Sequence, residues 1–175
     1  NNERVGAMIW DGSSNTFGDQ FSDASGTVTA TSGEQAFDIA WETQSGTPMI
    51  FWGTTGNNII MREFTGGSWQ AESAELVTPD FDNDLAWVFA SADPRSTSNY
   101  ISLGLQDGTT CRSRTGVWTG AAVTMNSPEP QCVSASTNNL IDTAFEKDTG
   151  QAIWVYVNSS NDDQIAWISW DNVSG

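Results

Sequence analysis

The sequence contains no histidine and a single lysine, Lys147. Lysine and arginine together number six against twenty-two aspartates and glutamates, giving a net charge of −16 and a pI near 4.1. Without histidine, no side chain of ordinary pKa titrates near neutral pH for proton transfer, and no imidazole can hold a metal. A field of this sign repels phosphate backbones and anionic membrane surfaces, which argues against nucleic acid and membrane partners. It suits the solubility of a secreted protein, with cation binding or life in high salt as the functional readings. The only cysteines are Cys111 and Cys132, and neither a Cys-x-x-Cys nor a Cys/His pattern supports zinc. No apolar run approaches membrane-spanning length. A Gly-x-Ser-x-Gly elbow and a phosphate-cradling glycine loop are also missing.

What is abundant is tryptophan, with nine residues, and glycine, with sixteen, in a chain only 16% charged. Uncharged polar residues make up most of the remainder. This is the composition of strands joined by tight turns rather than of a helical bundle. At 175 residues the chain can bury a sizeable core as one domain or one short array.

The chain repeats itself. Phe37–Gly46 (FDIAWETQSG) matches Ile141–Gly150 (IDTAFEKDTG), with Asp38, Ala40, Glu42 and Gly46 falling on Asp142, Ala144, Glu146 and Gly150 at a spacing of 104 residues. A degenerate copy, Asp84–Val88 (DLAWV), lies between them. Each unit opens on a hydrophobic strand and passes through a near-continuous apolar strand such as Met49–Trp52. A third strand and a Gly-x-Trp turn follow, Gly66-Gly67-Ser68-Trp69 in one unit and Gly116-Val117-Trp118 in the next. The expected organisation is a single repeat domain over 1–175, with a partial unit at about 1–35 and further units at about 36–78, 79–135 and 136–175. The first strand is expected at Arg4–Trp10, followed by a polar loop at Ser13–Asp23 and an edge strand at Thr27–Thr31.

The two ends also match. Asn1–Gly12 (NNERVGAMIWDG) aligns with Asn161–Asn172 (NDDQIAWISWDN), pairing Val5 with Ile165, Met8 with Ile168 and Trp10 with Trp170. The chain thus begins and ends on the same strand of its repeat, with no outer strand after the last unit. This points to closure of a small ring by the N-terminal strands or to strand exchange between molecules, with Arg4, Val5, Met8, Trp10, Ile165, Ile168 and Trp170 as the assembly residues.

Four-stranded antiparallel units near fifty residues with these features resemble β-propeller blades. The expected fold is therefore all-β, of propeller-like units with three to four strands each, and the alternative is a β-sandwich. Trp10-Asp11 and Trp170-Asp171 supply the WD dipeptide without its Gly-His partner, and the Asp-box is missing. The Trp/Gly-rich units are somewhat similar to the short blades of fucose-binding lectin propellers.

Candidate chemistry is sparse. In a blade, the strand bearing Asp38, Asp84 and Asp142 lines the central channel, so these carboxylates could ring a hard cation or serve only to cap turns. Asp80, Asp82 and Asp84 imitate the opening of a calcium loop, but Leu85 and Ser91 stand where the required glycine and acid should be. Calcium through these residues, or through Asn161, Asp162 and Asp163, is the one cofactor left open. Asp38 and Glu42 would lie about 13 Å apart along a strand, too far for a retaining glycosidase pair. No enzyme activity is expected. Trp52, Trp69, Trp118 and Trp154 fall near strand ends, where they could stack on sugar rings or pack between blades. Cys111 and Cys132 could close a disulfide of about twenty residues. Asn158 and Asn172 begin N-glycosylation sequons, in keeping with a secreted or cell-surface protein. Asn1 reads as the start of a mature or trimmed chain. The functional expectation is an extracellular structural protein that self-associates through its terminal strands, with a glycan-binding module as the alternative.

Overall fold

A computed structural model describes residues 4–22, 34–54, 58–73, 76–77, 84–108, 112–125, 139–158 and 164–171. These residues form fourteen strands and no helix. Each sheet is drawn from one continuous stretch of chain, and every strand pair is antiparallel.

The N-terminal hairpin pairs β1 (Gly6–Asp11) with β2 (Thr16–Ser22). The second sheet runs β3 (Phe37–Trp41), β4 (Pro48–Thr54) and β5 (Asn58–Thr65), with two short strands, β6 (Ser68–Trp69) and β7 (Leu76–Val77), both on β5. The third sheet is β8 (Leu85–Ala92), β9 (Ile101–Asp107), β10 (Ser113–Trp118) and β11 (Val123–Met125). The fourth is β12 (Ile141–Phe145), β13 (Ala152–Asn158) and β14 (Gln164–Trp170).

Several local expectations are corrected. Within the expected loop Ser13–Asp23, Thr16–Ser22 is strand, because Asp11 turns the chain within a few residues, and Asp23 lies outside the described residues. Its carboxylate accepts hydrogen bonds from the Ser13 amide (2.8 Å) and from the hydroxyls of Ser13 and Ser14 (both 2.7 Å). Thr27–Thr31 lies outside the described residues. Gly66 and Gly67 do form a tight turn, with φ of 62° and 78°. The Gly116–Trp118 segment is not a turn. It is the end of β10, paired with both β9 and β11, and the turn comes at Thr119, whose amide donates to the Ala122 carbonyl.

The sheets pack face to face in chain order, and each contact owns a hydrophobic cluster. Val5 packs with Ala36, Ile50, Trp52 and Ile60 between the hairpin and the second sheet. Met49, Phe51 and Ile59 meet Leu85, Val88, Leu103, Leu105 and Trp118 between the second and third. Val117 and Phe89 meet Ile141, Ala152, Trp154, Ile168 and Trp170 between the third and fourth. The opening strand β8 touches both β3 and β12. Among the described residues the hairpin does not pair with the fourth sheet, and no closed ring or barrel forms.

Where β4 passes Leu85 of the third sheet, a glycine is required. A Cβ on Gly53 would stand 2.5 Å from the Leu85 Cβ and 3.1 Å from its carbonyl oxygen. Gly53→Ala should destabilise the protein by about 1–3 kcal/mol through overpacking, measured as a lower midpoint in thermal or urea unfolding.

Candidate functional site

Three acidic residues stand at the same point of the first hairpin loop in successive sheets. The amides of Glu42, Asp93 and Glu146 donate across the loop to Thr47, Tyr100 and Gln151. The Glu42 side chain reaches forward and accepts from the buried Trp118 indole at 2.6 Å. Asp93 is held by the Arg95 guanidinium, which also donates to the Thr149 carbonyl at 2.6 Å. Burial raises the Asp93 carboxyl, yet the hydrogen bonds from Arg95 and Ser98 outweigh it and hold the group below its ordinary value. Glu146 is drawn down to about 2 by the amide of Asp148, then by the hydroxyl and amide of Thr149. These carboxylates build loops; each is occupied by its own donors.

Counting back four residues from these loop positions gives Asp38, Phe89 and Asp142 as equivalents. This corrects the expected recurrence, because Asp84 precedes β8 and is exposed there. Asp38 faces the third sheet. Its Oδ1 accepts from the Ile39 amide and its Oδ2 from the Ala90 amide of β8, both at 2.8 Å. Burial pushes its carboxyl up, the two amides oppose this, and the Asp142 charge adds to the rise. Asp142 accepts from the Thr143 amide through Oδ1 in the same way, but among the described residues no further sheet follows the fourth to donate to its Oδ2.

The decisive geometry is the outer face of the fourth sheet. Here "forward" means toward the sheet that follows in sequence. On the second sheet the forward face carries Ala40, Met49, Phe51, Ile59 and Met61, packed on the third sheet. The pairing register places Ala144, Ile153, Val155, Ile165 and Trp167 at the corresponding points of the fourth. β4 is buried along its whole length, whereas β13 alternates, with Ala152 and Trp154 buried and Ile153 and Val155 exposed. On β14, Ile165 is 77% exposed and Trp167 66%.

A second bare apolar region lies at the other end. The backward face of the second sheet is covered by the hairpin at Ile50, Trp52 and Ile60. Beside them Phe37, Ile39 and Trp41 are about half exposed. The hairpin's own outer side shows Met8, Trp10 and Phe17, the last two with ring centroids 4.8 Å apart.

The remaining expected site residues fall as follows. Trp52, Trp118 and Trp154 are buried in the contacts between sheets, and Trp69 is half-buried against Phe21 and Phe64. The indoles of Trp69 and Trp154 donate to the carbonyls of Asp19 and Leu103. Sheet-to-sheet packing covers the rings of Trp52, Trp118 and Trp154, and Trp69 is left partly exposed. Asp80, Asp82, Asn161, Asp162, Asp163, Cys111, Cys132 and Asn172 lie outside the described residues. Among the described residues, no group of three or more acidic, His or Cys side chains converges on a cation. Asn158 ends β13 half-buried, Arg4 is exposed beside the buried Val5, and Ile168 and Trp170 face the third sheet, where Trp170 meets Tyr100 edge to face at 5.5 Å. Sequence reasoning missed Phe37, Ile39 and Trp41 as a surface, since alternation alone reads them as core. No protein-family model and no curated protein matches this sequence.

The carboxyl groups give a direct check. Side-chain carbon NMR should find Glu146 titrating near 2 and Asp38 above the ordinary aspartate value of 3.8. A depressed acid stabilises the fold above its unfolded value, and that contribution is lost as pH falls from 4.5 toward 2. Glu146→Gln should accordingly flatten the fall in unfolding midpoint over that window.

Proposed function

We propose that this is a secreted or cell-surface structural protein, built from propeller-like blades, that associates end to end with copies of itself. The forward face of the fourth sheet meets the backward face of the second sheet on another copy, and repetition gives a linear assembly. One observation carries the reading. β13 has the two-sided apolar sequence of β4, yet only one of its sides is covered.

Magnitudes set the expected strength. A large apolar side chain contributes about 1.5–3 kcal/mol when it goes from wholly exposed to buried. Phe37, Ile39, Trp41, Ile153, Val155, Ile165 and Trp167 are 36–77% exposed. Their burial is therefore worth on the order of 5–10 kcal/mol, against about 4–15 kcal/mol for lost translation, rotation and side-chain ordering. Such association is weak and concentration-dependent unless hydrogen bonding between strands adds to it.

A glycan-binding role is the second reading. It would use the polar hollow of about 340 Å³ lined by Gln44, Arg95, Asn99, Tyr100 and Thr119 rather than the buried tryptophans. Binding on a glycan array that Asn99→Ala abolishes would favour it.

The head-to-tail reading is tested by mixing. Val155→Asp spoils one face and Ile39→Asp the other. Each variant alone should remain monomeric by light scattering at concentrations where the wild-type chain grows. An equal mixture should give a dimer and nothing larger, because each variant retains one intact face. A wild-type chain that stays at 18.9 kDa throughout would overturn the reading.

A further inference from the structure

The end-to-end contact leaves open how two molecules share strands. Resting on the self-association reading, we propose that a second copy inserts its β1–β2 hairpin beside β13 in place of β14. One four-stranded sheet is then made from β12 and β13 of one molecule and β1 and β2 of the next.

Three observations lead here. The first is that β1 and β14 are the same strand twice, in structure as well as sequence. On β1, Val5 and Ala7 face the second sheet, while Met8 and Trp10 are exposed on the opposite side. On β14, the matching Ile165 and Trp167 face forward and are exposed, while Ile168 and Trp170 face back into the third sheet. Each copy of the strand has one buried side and one bare side, and the buried sides are opposite. A single strand placed between a fourth-sheet position and a second sheet would have both sides covered. β1 meets that condition in an exchanged sheet: Val5 and Ala7 stay on their own second sheet, and Met8 and Trp10 take the places of Ile168 and Trp170 against Tyr100 of the other copy.

The second observation is the partial cover of the second sheet. The hairpin supplies two strands, and they lie over Ile50, Trp52 and Ile60. Phe37, Ile39 and Trp41 of the opening strand β3 are left half exposed. Joined to β1, the strands β13 and β12 continue the sheet over that region. Ile153 and Val155 then face Phe37, Ile39 and Trp41, as Met49 and Phe51 face the third sheet within one chain.

The third is hydrogen bonding. Asp38 Oδ2 accepts from the Ala90 amide of the next sheet. By loop counting, Ile39 is the equivalent of Ala90 and Asp142 the equivalent of Asp38. Exchange brings Asp142 beside the Ile39 amide of the second copy, which in the monomer donates to Asp38 Oδ1, so Asp142 would have to share or take over that donor and the weight falls on the strand ladder. The β13–β14 ladder, paired from Ala152↔Trp170 to Asn158↔Gln164, is replaced by a β13–β1 ladder of like register, so most of the backbone hydrogen bonds given up are regained. In the monomer β14 is a placeholder for the incoming strand.

The test staples the placeholder. Tyr156 and Ala166 lie opposite each other on β13 and β14. The full-length Tyr156→Cys/Ala166→Cys variant, oxidised, holds β14 in place; reduced, it is its own folding control. Light scattering over a concentration series should show larger species for the wild-type chain and the reduced variant, and their loss in the stapled form. Stapled protein that assembles like its reduced form overturns exchange and leaves end-to-end docking standing. A wild-type chain that never assembles overturns both. As a second measurement, chains carrying Ala7→Cys are mixed with chains carrying Val155→Cys. By register the two positions face each other in the exchanged sheet, so a disulfide between them, identified by peptide mass, is expected. Failure of that bond to form in assembled protein also overturns exchange.

Discussion

β4 and β13 are apolar on both sides, and the architecture follows from that constraint. A strand whose odd and even residues are both hydrophobic cannot rest with one side in water. β4 satisfies the demand because a sheet lies on each side of it, and β9 and β10 are buried on both sides too, though their second side is largely polar, with Ser102, Gln106 and Thr115. The hairpin and the fourth sheet do not satisfy it among the described residues, and the bare side chains lie there and on the uncovered part of the second sheet at Phe37, Ile39 and Trp41. Stability in such an array is a chain of nearest-neighbour terms, each contact with its own cluster and its own loop clasp. Glu42 with Trp118 ties the second sheet to the third, and Arg95 with Thr149 ties the third to the fourth.

Much of the fold could be read from the sequence, and the reasons are physical. The β3–β4 and β12–β13 hairpins were legible because Gly46 and Gly150, both with positive φ, fix the same loop after the same acid. The third sheet was harder. Phe89 fills the place of Asp38 and Asp142, so in the sequence the nearest matching aspartate is Asp84, which is out of register. Gly116 was read as a turn because it precedes a tryptophan as Gly67 does, but β11 runs close beside it: a Cβ there would meet the Met125 sulfur at 2.9 Å. Only pairing partners reveal that.

The candidate surface was legible at one end alone. The match of Val5 to Ile165 and of Trp10 to Trp170 marks the terminal strands from sequence alone. Phe37, Ile39 and Trp41 gave no such signal. Their alternation is what a buried face looks like, and nothing in composition states that a covering sheet is only two strands wide. Of the two readings open for the tryptophans, packing accounts for Trp118 and Trp154, because strand ends in this array are also the contact points of neighbouring sheets.

The division of the indoles has an optical consequence. Trp52 and Trp154 sit in fully dry surroundings, while Trp10, Trp41 and Trp167 look into water. Emission from the first group reports the contacts between sheets, and emission from the second reports the two ends. The molecule therefore carries its own fluorophores, already sorted by place. A blue shift of the red-emitting population, with the buried population unchanged, separates events at the ends of the array from loosening of its interior.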